Sequence, residues 1–309
     1  MGFYVTVLGS GASMPTGHRC CSAQVVNIEG FKILIDAGEG VQNQIRRAHV
    51  KMQSIDTILV SHLHGDHFFG LPGLISSMHL CGRTQPLDIY APKGLDDVFE
   101  AIFRVSNTEL NFQLNIHTIT PDVSQPILAN AKCRISSFPL YHSIETYGFL
   151  IEEQKKTSLS LKRDVCKKYN LAADDIARIK QGDDLVLPEG TIVPNANLTQ
   201  QPKSPRKYAY CCDTSFDESL IPILAGVDLL CLESTFDNAF STLAEERCHL
   251  TAEKAATLAA KAGVRQLLLT HFSARYREIE PLMGEALAVF PDTLCAADGT
   301  RYDIPYKLK

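Results

Sequence analysis

The stretch LVSHLHGDHFFGLPG (residues 59–73) places His62, His64, Asp66 and His67 directly after the apolar run TILV (57–60). Buried imidazoles need polar partners for their ring nitrogens, so histidines at two-residue spacing beside a carboxylate are poorly explained as core packing. A shared metal ion supplies such a partner. The run before the cluster reads as a buried strand and the glycines after it as a turn into a helix. The cluster therefore belongs to a strand-to-helix loop at a sheet edge, where sites commonly lie.

Working outward, short β-rich runs (FYVTVLG, AQVVNI, FKILID, DTILVSH, LDIYAP, KCRISSF, TYGFLI) alternate with helical patterns (GVQNQIRRAHV, GLDDVFEAIFRV, TAEKAATLAAKAG, EIEPLMGEALAVF). This is an α/β pattern. The continuous apolar runs TILV, DLLCL and QLLLT suit strands covered on both faces, in a sheet sandwiched by helices. Between Glu152 and Lys207 the pattern gives way to charged and turn-forming residues, which reads as an insertion or protruding arm.

The 309 residues, 45% of them hydrophobic, can bury a large core. A net charge of −5 excludes a wholly basic nucleic-acid binder while leaving room for a local basic patch. The start of the chain, MGFYVTVLGSGASMP, lacks a basic segment followed by a long apolar one, and no stretch approaches the roughly 18 apolar residues of a membrane span. The expectation is a cytoplasmic protein without a membrane partner. Ten cysteines without CxxC spacing or disulfide-scaffold density are expected to be mostly reduced and buried. Cys211 and Cys212 read as small residues on a buried strand rather than as ligands.

Three more candidates share the cluster's context. His142 follows RISSFPLY, Asp213 follows YAYCC, and His271 follows RQLLLT. Each is polar and ends an apolar strand. Seven ligands suit two metal ions, and imidazole with carboxylate favours zinc, although manganese and iron also accept these ligand types.

The series Asp36 in LIDAGEG, SHLHGDH, His142 in PLYHSIETYGF, Asp213 in YCCDTSF and His271 in LTHFSARY resembles the metallo-β-lactamase superfamily. LGSGASMP, HGDHFFGLPGL, YAPKGL, HSIETYGFLIEE, LLCLESTF, HLTAEKAA and AADGTRYDI narrow the resemblance to the ribonuclease Z family in its short bacterial form, over nearly the whole chain. That resemblance implies one four-layer αββα domain over residues 1–309, carrying an exosite-like arm at 153–206. It implies a zinc-dependent endoribonuclease that cleaves the 3′ trailer from precursor tRNA and leaves a 3′-hydroxyl. Two zinc ions per chain are implied, one held by His62, His64 and His142, the other by Asp66, His67 and His271, with Asp213 bridging. Asp36 would support the ligand loops. A homodimer is implied as well.

Phosphodiester cleavage needs a water that ionises near neutral pH, which zinc provides by bringing the pKa of a bound water to about 7. The resemblance makes Asp66 the proton acceptor, His249 the donor to the departing 3′ oxygen and Glu233 the group orienting His249. From the residues alone, His249 reads instead as the start of a helix that Thr251 caps. Arg275 could bind a substrate phosphate with two parallel hydrogen bonds, or form an ordinary surface ion pair. In the arm, Lys155, Lys156, Lys162, Arg163, Lys167, Lys168, Arg178 and Lys180 give a modest positive excess suited to phosphate backbones, although composition alone favours a solvated charged helix.

Two departures from the family pattern stand out. The arm reads LAADDIARIKQGDD where a Gly-Pro turn is usual, so its tip is expected to differ in shape. The loop PTGHRC keeps Pro15 and Arg19 of the usual Pro-x-Lys-x-Arg-Asn but has Gly17 and Cys20 at the other two positions, so discrimination against tRNAs already bearing CCA is expected to be altered. The competing readings are a hydrolase of small phosphodiesters or other RNA on the same dimetal core, and an inactive RNA-binding scaffold. The complete ligand series argues against the scaffold.

Overall fold

The computed structural model describes residues 2–120, 125–154 and 159–307. The chain divides into two compact units, residues 1–153 with 206–305, and residues 154–205 with 306–309.

The larger unit is built on two seven-stranded sheets. In the first, the strands run in the order Arg301–Asp303, Phe3–Gly9, Ala23–Ile28, Phe31–Ile35, Thr57–Leu59, Leu87–Ala91 and Leu114–Thr118. In the second the order is Thr293–Cys295, Leu267–Thr270, Leu229–Glu233, Lys207–Cys211, Thr146–Glu153, Cys133–Leu140 and Leu128–Ala129. Each sheet is antiparallel at one side and parallel at the other, the change falling at Phe31–Ile35 in the first and Lys207–Cys211 in the second.

Strand residues of period two account for the layering. Ile33, Ile35 and Leu59 of the first sheet join Ile135, Phe138, Phe149, Tyr208 and Tyr210 of the second in a shared core. Leu34 and Ile58, one residue out of step, point to the other side and pack with the helices Val41–Arg47, Leu71–Leu80 and Leu95–Ser106. The second sheet is covered by the helix Ala252–Ala262, whose Ala255, Ala256, Leu258 and Ala259 are fully buried. Four layers in the order αββα result, as expected.

The helix expected after the histidine loop is Leu71–Leu80, whose start the sequence did not fix because LPG reads as a turn. Its proline sits in the first helical turn, where the missing N–H has no partner to lose. Glycines in this region serve close approach: a Cβ on Gly38 would lie 2.3 Å from the Asp66 carbonyl oxygen, and one on Gly70 2.2 Å from that of Gly38. The histidine loop can therefore lie directly against the loop carrying Asp36.

All ten cysteines are unpaired. Burial holds for Cys21, Cys133, Cys211, Cys212 and Cys231, whereas Cys81 and Cys166 are exposed, a correction to the expectation that most are buried. Among the described residues, no helix is long and apolar enough to cross a membrane.

The smaller unit has its own core of Val165, Ile179, Leu185 and Leu198. Its helix Ala173–Gln181 ends at Gly182, and two short antiparallel pairs, Ser160–Leu161 with Thr199–Gln200 and Leu185–Val186 with Ile192–Val193, complete it.

Candidate metal centre

Asp36, Asp213 and His271 each stand at the C-terminal end of a strand, and each adopts a left-handed backbone, with φ of 56°, 60° and 59°. Non-glycine residues avoid this region, and such strain concentrates at functional sites. It turns the three side chains out of the sheets towards the histidine loop.

Two groups of ligand atoms meet there. His62 Nε2 lies 3.1 Å and His142 Nε2 3.3 Å from His64 Nδ1, and the same two Nε2 atoms lie 3.6 and 3.5 Å from Asp213 Oδ2. In the second group His67 Nε2 and His271 Nε2 are 3.4 Å apart and lie 3.3 and 3.2 Å from Asp213 Oδ1. Asp66 Oδ2 is 3.4 Å from His271 Nε2 and 3.7 Å from His67 Nε2, and accepts a hydrogen bond from the Ser13 backbone N–H at 2.6 Å. Asp213 thus offers one oxygen to each group. All seven expected ligands are brought together.

Hydrogen bonds on the far side of the rings set their tautomers. The Ser61 hydroxyl donates to Asp36 Oδ2 at 2.9 Å and so accepts from His62 Nδ1 at 3.0 Å. His67 Nδ1 donates to Asp36 Oδ2 at 2.7 Å, and His142 Nδ1 donates to the Cys248 carbonyl at 3.2 Å. The Thr235 hydroxyl donates to Glu233 Oε2 at 2.6 Å and accepts from His271 Nδ1 at 2.9 Å. Four imidazoles therefore hold their protons outward and, when neutral, aim Nε2 lone pairs inward. Such outer partners are what orient metal-ligating histidines. Converging lone pairs repel one another unless a cation lies between them. Donors about 2.0–2.1 Å from a tetrahedral zinc stand about 3.3 Å apart, close to the separations seen here. The donor set fits a pair of metal ions.

Asp36 is fully buried and accepts from the Ser61 N–H and hydroxyl, His67 and the Tyr210 hydroxyl. Through Ser61 and His67 it touches the histidine loop. Burial and the neighbouring His67 push the His62 imidazole down to about 2. At His67, burial would lower the pKa, but Asp213 and Asp36 outweigh it and raise it well above the ordinary value. Burial opposes ionisation of Asp213, and the surrounding imidazoles of His271, His67 and His62 overcome it, holding the carboxyl far below its usual range.

Beside the cluster, His249 Nδ1 donates to Glu233 Oε1 at 2.8 Å. Glu233, with no exposed surface, also accepts from the Thr214 and Leu250 N–H groups at 2.7 and 3.1 Å. Burial would lower the His249 pKa, but the Glu233 carboxylate raises it to about 9. His249 is not a helix residue: the helix begins at Ala252, and Thr251 caps it by accepting from the Lys254 N–H. The imidazole is left facing a cavity of about 900 Å³ lined also by His64, Asp66, His142, Asp213, His271 and Arg275.

Among the described residues, Arg275 forms no ion pair. Its guanidinium lies 4.8 Å from the Phe236 ring centre and 4.2 Å from that of Phe240, and Nε donates to the Ser273 hydroxyl at 3.1 Å. Arg19 of PTGHRC is occupied internally, donating to the Tyr276 and Arg277 carbonyls at 2.6 and 3.1 Å. In the smaller unit Lys162, Arg163, Lys167, Lys168, Arg178 and Lys180 are exposed. Lys162 Nζ donates to the Ala196 carbonyl and Arg178 pairs with Asp183 at 3.3 Å. Lys155 and Lys156 lie outside the described residues. Sequence reading did not single out Ser61 and Thr235, although both lie within two residues of a named one, nor Tyr210 and Ser13, which tertiary structure alone brings in.

A family model described as a beta-lactamase superfamily domain matches residues 32–165. The chain is 37% identical to a ribonuclease Z of Parabacteroides distasonis, over 98% of this chain and 99% of that protein. It is 40% identical to a ribonuclease Z of Bacteroides fragilis, over 96% and 97%. The crystal structure of the short form of human tRNase Z superposes with a TM-score of 0.70 at 29% identity, covering 98% of this chain and 99% of that one. With this relatedness along its whole length, and with the ligand series assembled on a metallo-β-lactamase fold, the chain belongs to the ribonuclease Z family.

Proposed function

We propose that this protein is an endoribonuclease that removes the 3′ trailer from precursor tRNA by hydrolysing one phosphodiester with two zinc ions. The observation that carries the reading is Asp213, whose two carboxylate oxygens face two separate groups of inward-pointing nitrogens, with His249 on the same cavity. His62, His64 and His142 would hold one ion, Asp66, His67 and His271 the other, and Asp213 would bridge.

Zinc, when bound, would supply a water that ionises near neutral pH and positive charge for the scissile phosphate. The chain's own groups do the rest. Asp66, kept ionised although burial opposes it, is a carboxylate on the cavity wall placed to take the proton from the attacking water. His249, holding its proton at neutral pH because Glu233 stabilises the imidazolium, donates to the departing 3′ oxygen. The bond from phosphorus to the 3′ oxygen breaks, the tRNA keeps a 3′-hydroxyl and the trailer leaves with a 5′-phosphate. Arg275, whose guanidinium rests against the rings of Phe236 and Phe240, is set to grip a phosphate next to the cleaved one.

The exposed lysines and arginines of residues 154–205 would bind the tRNA backbone, acting as the exosite arm, and the active assembly would be a cytoplasmic homodimer. Light scattering at micromolar concentration tests the assembly, and a monomer there rules it out. Incubating the metal-loaded protein with a precursor tRNA and mapping the ends tests the reaction. A single cut leaving a 3′-hydroxyl, abolished together with bound zinc in Asp213→Ala, is expected. Cleavage of bis(p-nitrophenyl) phosphate without cleavage of the precursor would overturn the proposal in favour of a small-diester hydrolase.

A further inference from the structure

Two consecutive phenylalanines follow the histidine loop and face different surroundings. Phe68 packs into the core that holds Leu34 and Ile58. Phe69 is 65% exposed and lines the cavity shared by Asp66 and His249. Its ring rests on Gly65, where a Cβ would lie 2.3, 2.6 and 2.7 Å from the Phe69 Cε2, Cδ2 and Cζ atoms. The Gly65 backbone is not left-handed, so its conformation does not call for glycine, and the missing side chain makes room for the ring. The Phe68 ring meets that of Phe69 edge-on, with centres 5.0 Å apart. Phe69 is thus braced from below and from the side while ring surface stays open to the cavity. A single exposed apolar residue is ordinary on a protein surface. A braced aromatic ring three residues from Asp66, on the wall of a cavity otherwise rich in charged groups, is not. Met14, 59% exposed, lines the same cavity from the loop whose Ser13 N–H holds Asp66.

We propose that Phe69 is the surface on which the base of the first trailer nucleotide stacks, immediately beyond the cleaved bond. This inference rests on the reading above that the chain cuts precursor tRNA. The charged groups of the cavity address the phosphates, and a flanking base needs an apolar plane instead. The side of the bond follows from the in-line course of the displacement, in which water attacks opposite the departing 3′ oxygen. His249 stands by that oxygen and so by the retained nucleotide. Asp66 marks the side from which water enters, and Phe69 belongs to that side, which leaves the trailer nucleoside to meet it. Because every base has a π face, the contact adds affinity without fixing the trailer sequence. The bracing by Gly65 and Phe68 holds the ring in place before the base arrives, so little side-chain freedom is lost on binding.

Cleavage by the full-length, zinc-loaded protein tests this, with precursor tRNAs carrying either a normal first trailer nucleotide or an abasic one. With the normal precursor, Phe69→Leu and Phe69→Ala should lower kcat/KM by roughly 5- to 150-fold, while Phe69→Tyr, which keeps the ring, should stay near native. The abasic precursor should cost the native protein a similar factor and the Leu and Ala variants little more, because the same contact cannot be lost twice. Zinc content and thermal stability should match the native protein in all three variants. Native kcat/KM in Phe69→Leu and Phe69→Ala, or losses from variant and abasic site that simply multiply, would overturn the role of Phe69 and leave the cleavage reading standing. So would loss of zinc in both variants, which would make the ring a support of the metal loop, or a coupling seen only when the last retained nucleotide is abasic. A native protein that leaves the normal precursor uncut would overturn both.

Discussion

Glu233 holds His249 through a 2.8 Å hydrogen bond from Nδ1 to Oε1, while its other oxygen accepts from the Thr235 hydroxyl that in turn accepts from His271. One buried carboxylate therefore orients both the proposed proton donor and a proposed metal ligand. A change at Glu233 is felt at two places, whereas a change at His249 is felt at one.

His249→Ala should accordingly bind zinc and precursor tRNA nearly as the native protein does and slow the chemical step by roughly 10²- to 10⁴-fold. Single-turnover cleavage with metal analysis checks this. Unchanged single-turnover rates would return His249 to a purely structural role.

The metal-free protein should show the His249 pKa directly. It is raised from 6.5 to about 9, so the folded state binds this proton more tightly than the unfolded state does. Its stabilising contribution is therefore fully present below about pH 6.5 and is lost as pH rises through about 9. Imidazole titration by NMR, set beside stability measured from pH 6 to 10, checks the sign. Glu233→Gln, which removes the carboxylate, should bring the pKa down.

Asp36→Ala removes the acceptor shared by Ser61, His67 and Tyr210. Three buried partners lose an acceptor, so the protein should be destabilised, each orphaned donor costing about 1–3 kcal/mol. In whatever fraction remains folded, metal affinity should fall by about 10- to 100-fold, because His67 loses the group that fixes its tautomer. Zinc competition assays with denaturant melts separate the two effects, and native zinc affinity would show that Asp36 does not act through His67.

Replacing residues 154–205 by a short linker should weaken precursor-tRNA binding and flatten its salt dependence, because fewer counterions are released on binding. Hydrolysis of a small diester should survive, since the proposed ligands lie in the other unit. Lys162 and Arg178 are engaged within the smaller unit, and the tip lacks a Gly-Pro turn, so the loss should be smaller than a fully basic arm would give. Equal retention of both activities at low and physiological salt would remove the arm from recognition.

The local grammar of the chain determined much of this protein. His62, His64, Asp66 and His67 stand so close together that any strand-to-helix turn brings them into one loop, and the continuous apolar run around Ile58 already requires a sheet covered on both faces. The start of the helix at 71–80 escaped because Pro72 carries the same local signal at a helix start as at a turn. His142, Asp213 and His271 were candidates from their place at the ends of apolar strands, and the resemblance sorted them between two metal positions, since a polar residue after a strand has many uses.

Tertiary structure decided what depends on contacts across many tens of residues. The outward protons of four histidines come from Asp36, Ser61, Cys248 and Thr235, and the charge on His249 comes from a carboxylate 16 residues away. A sequence states which donors exist and of what type, while protonation and orientation follow from what surrounds each donor once the chain has folded.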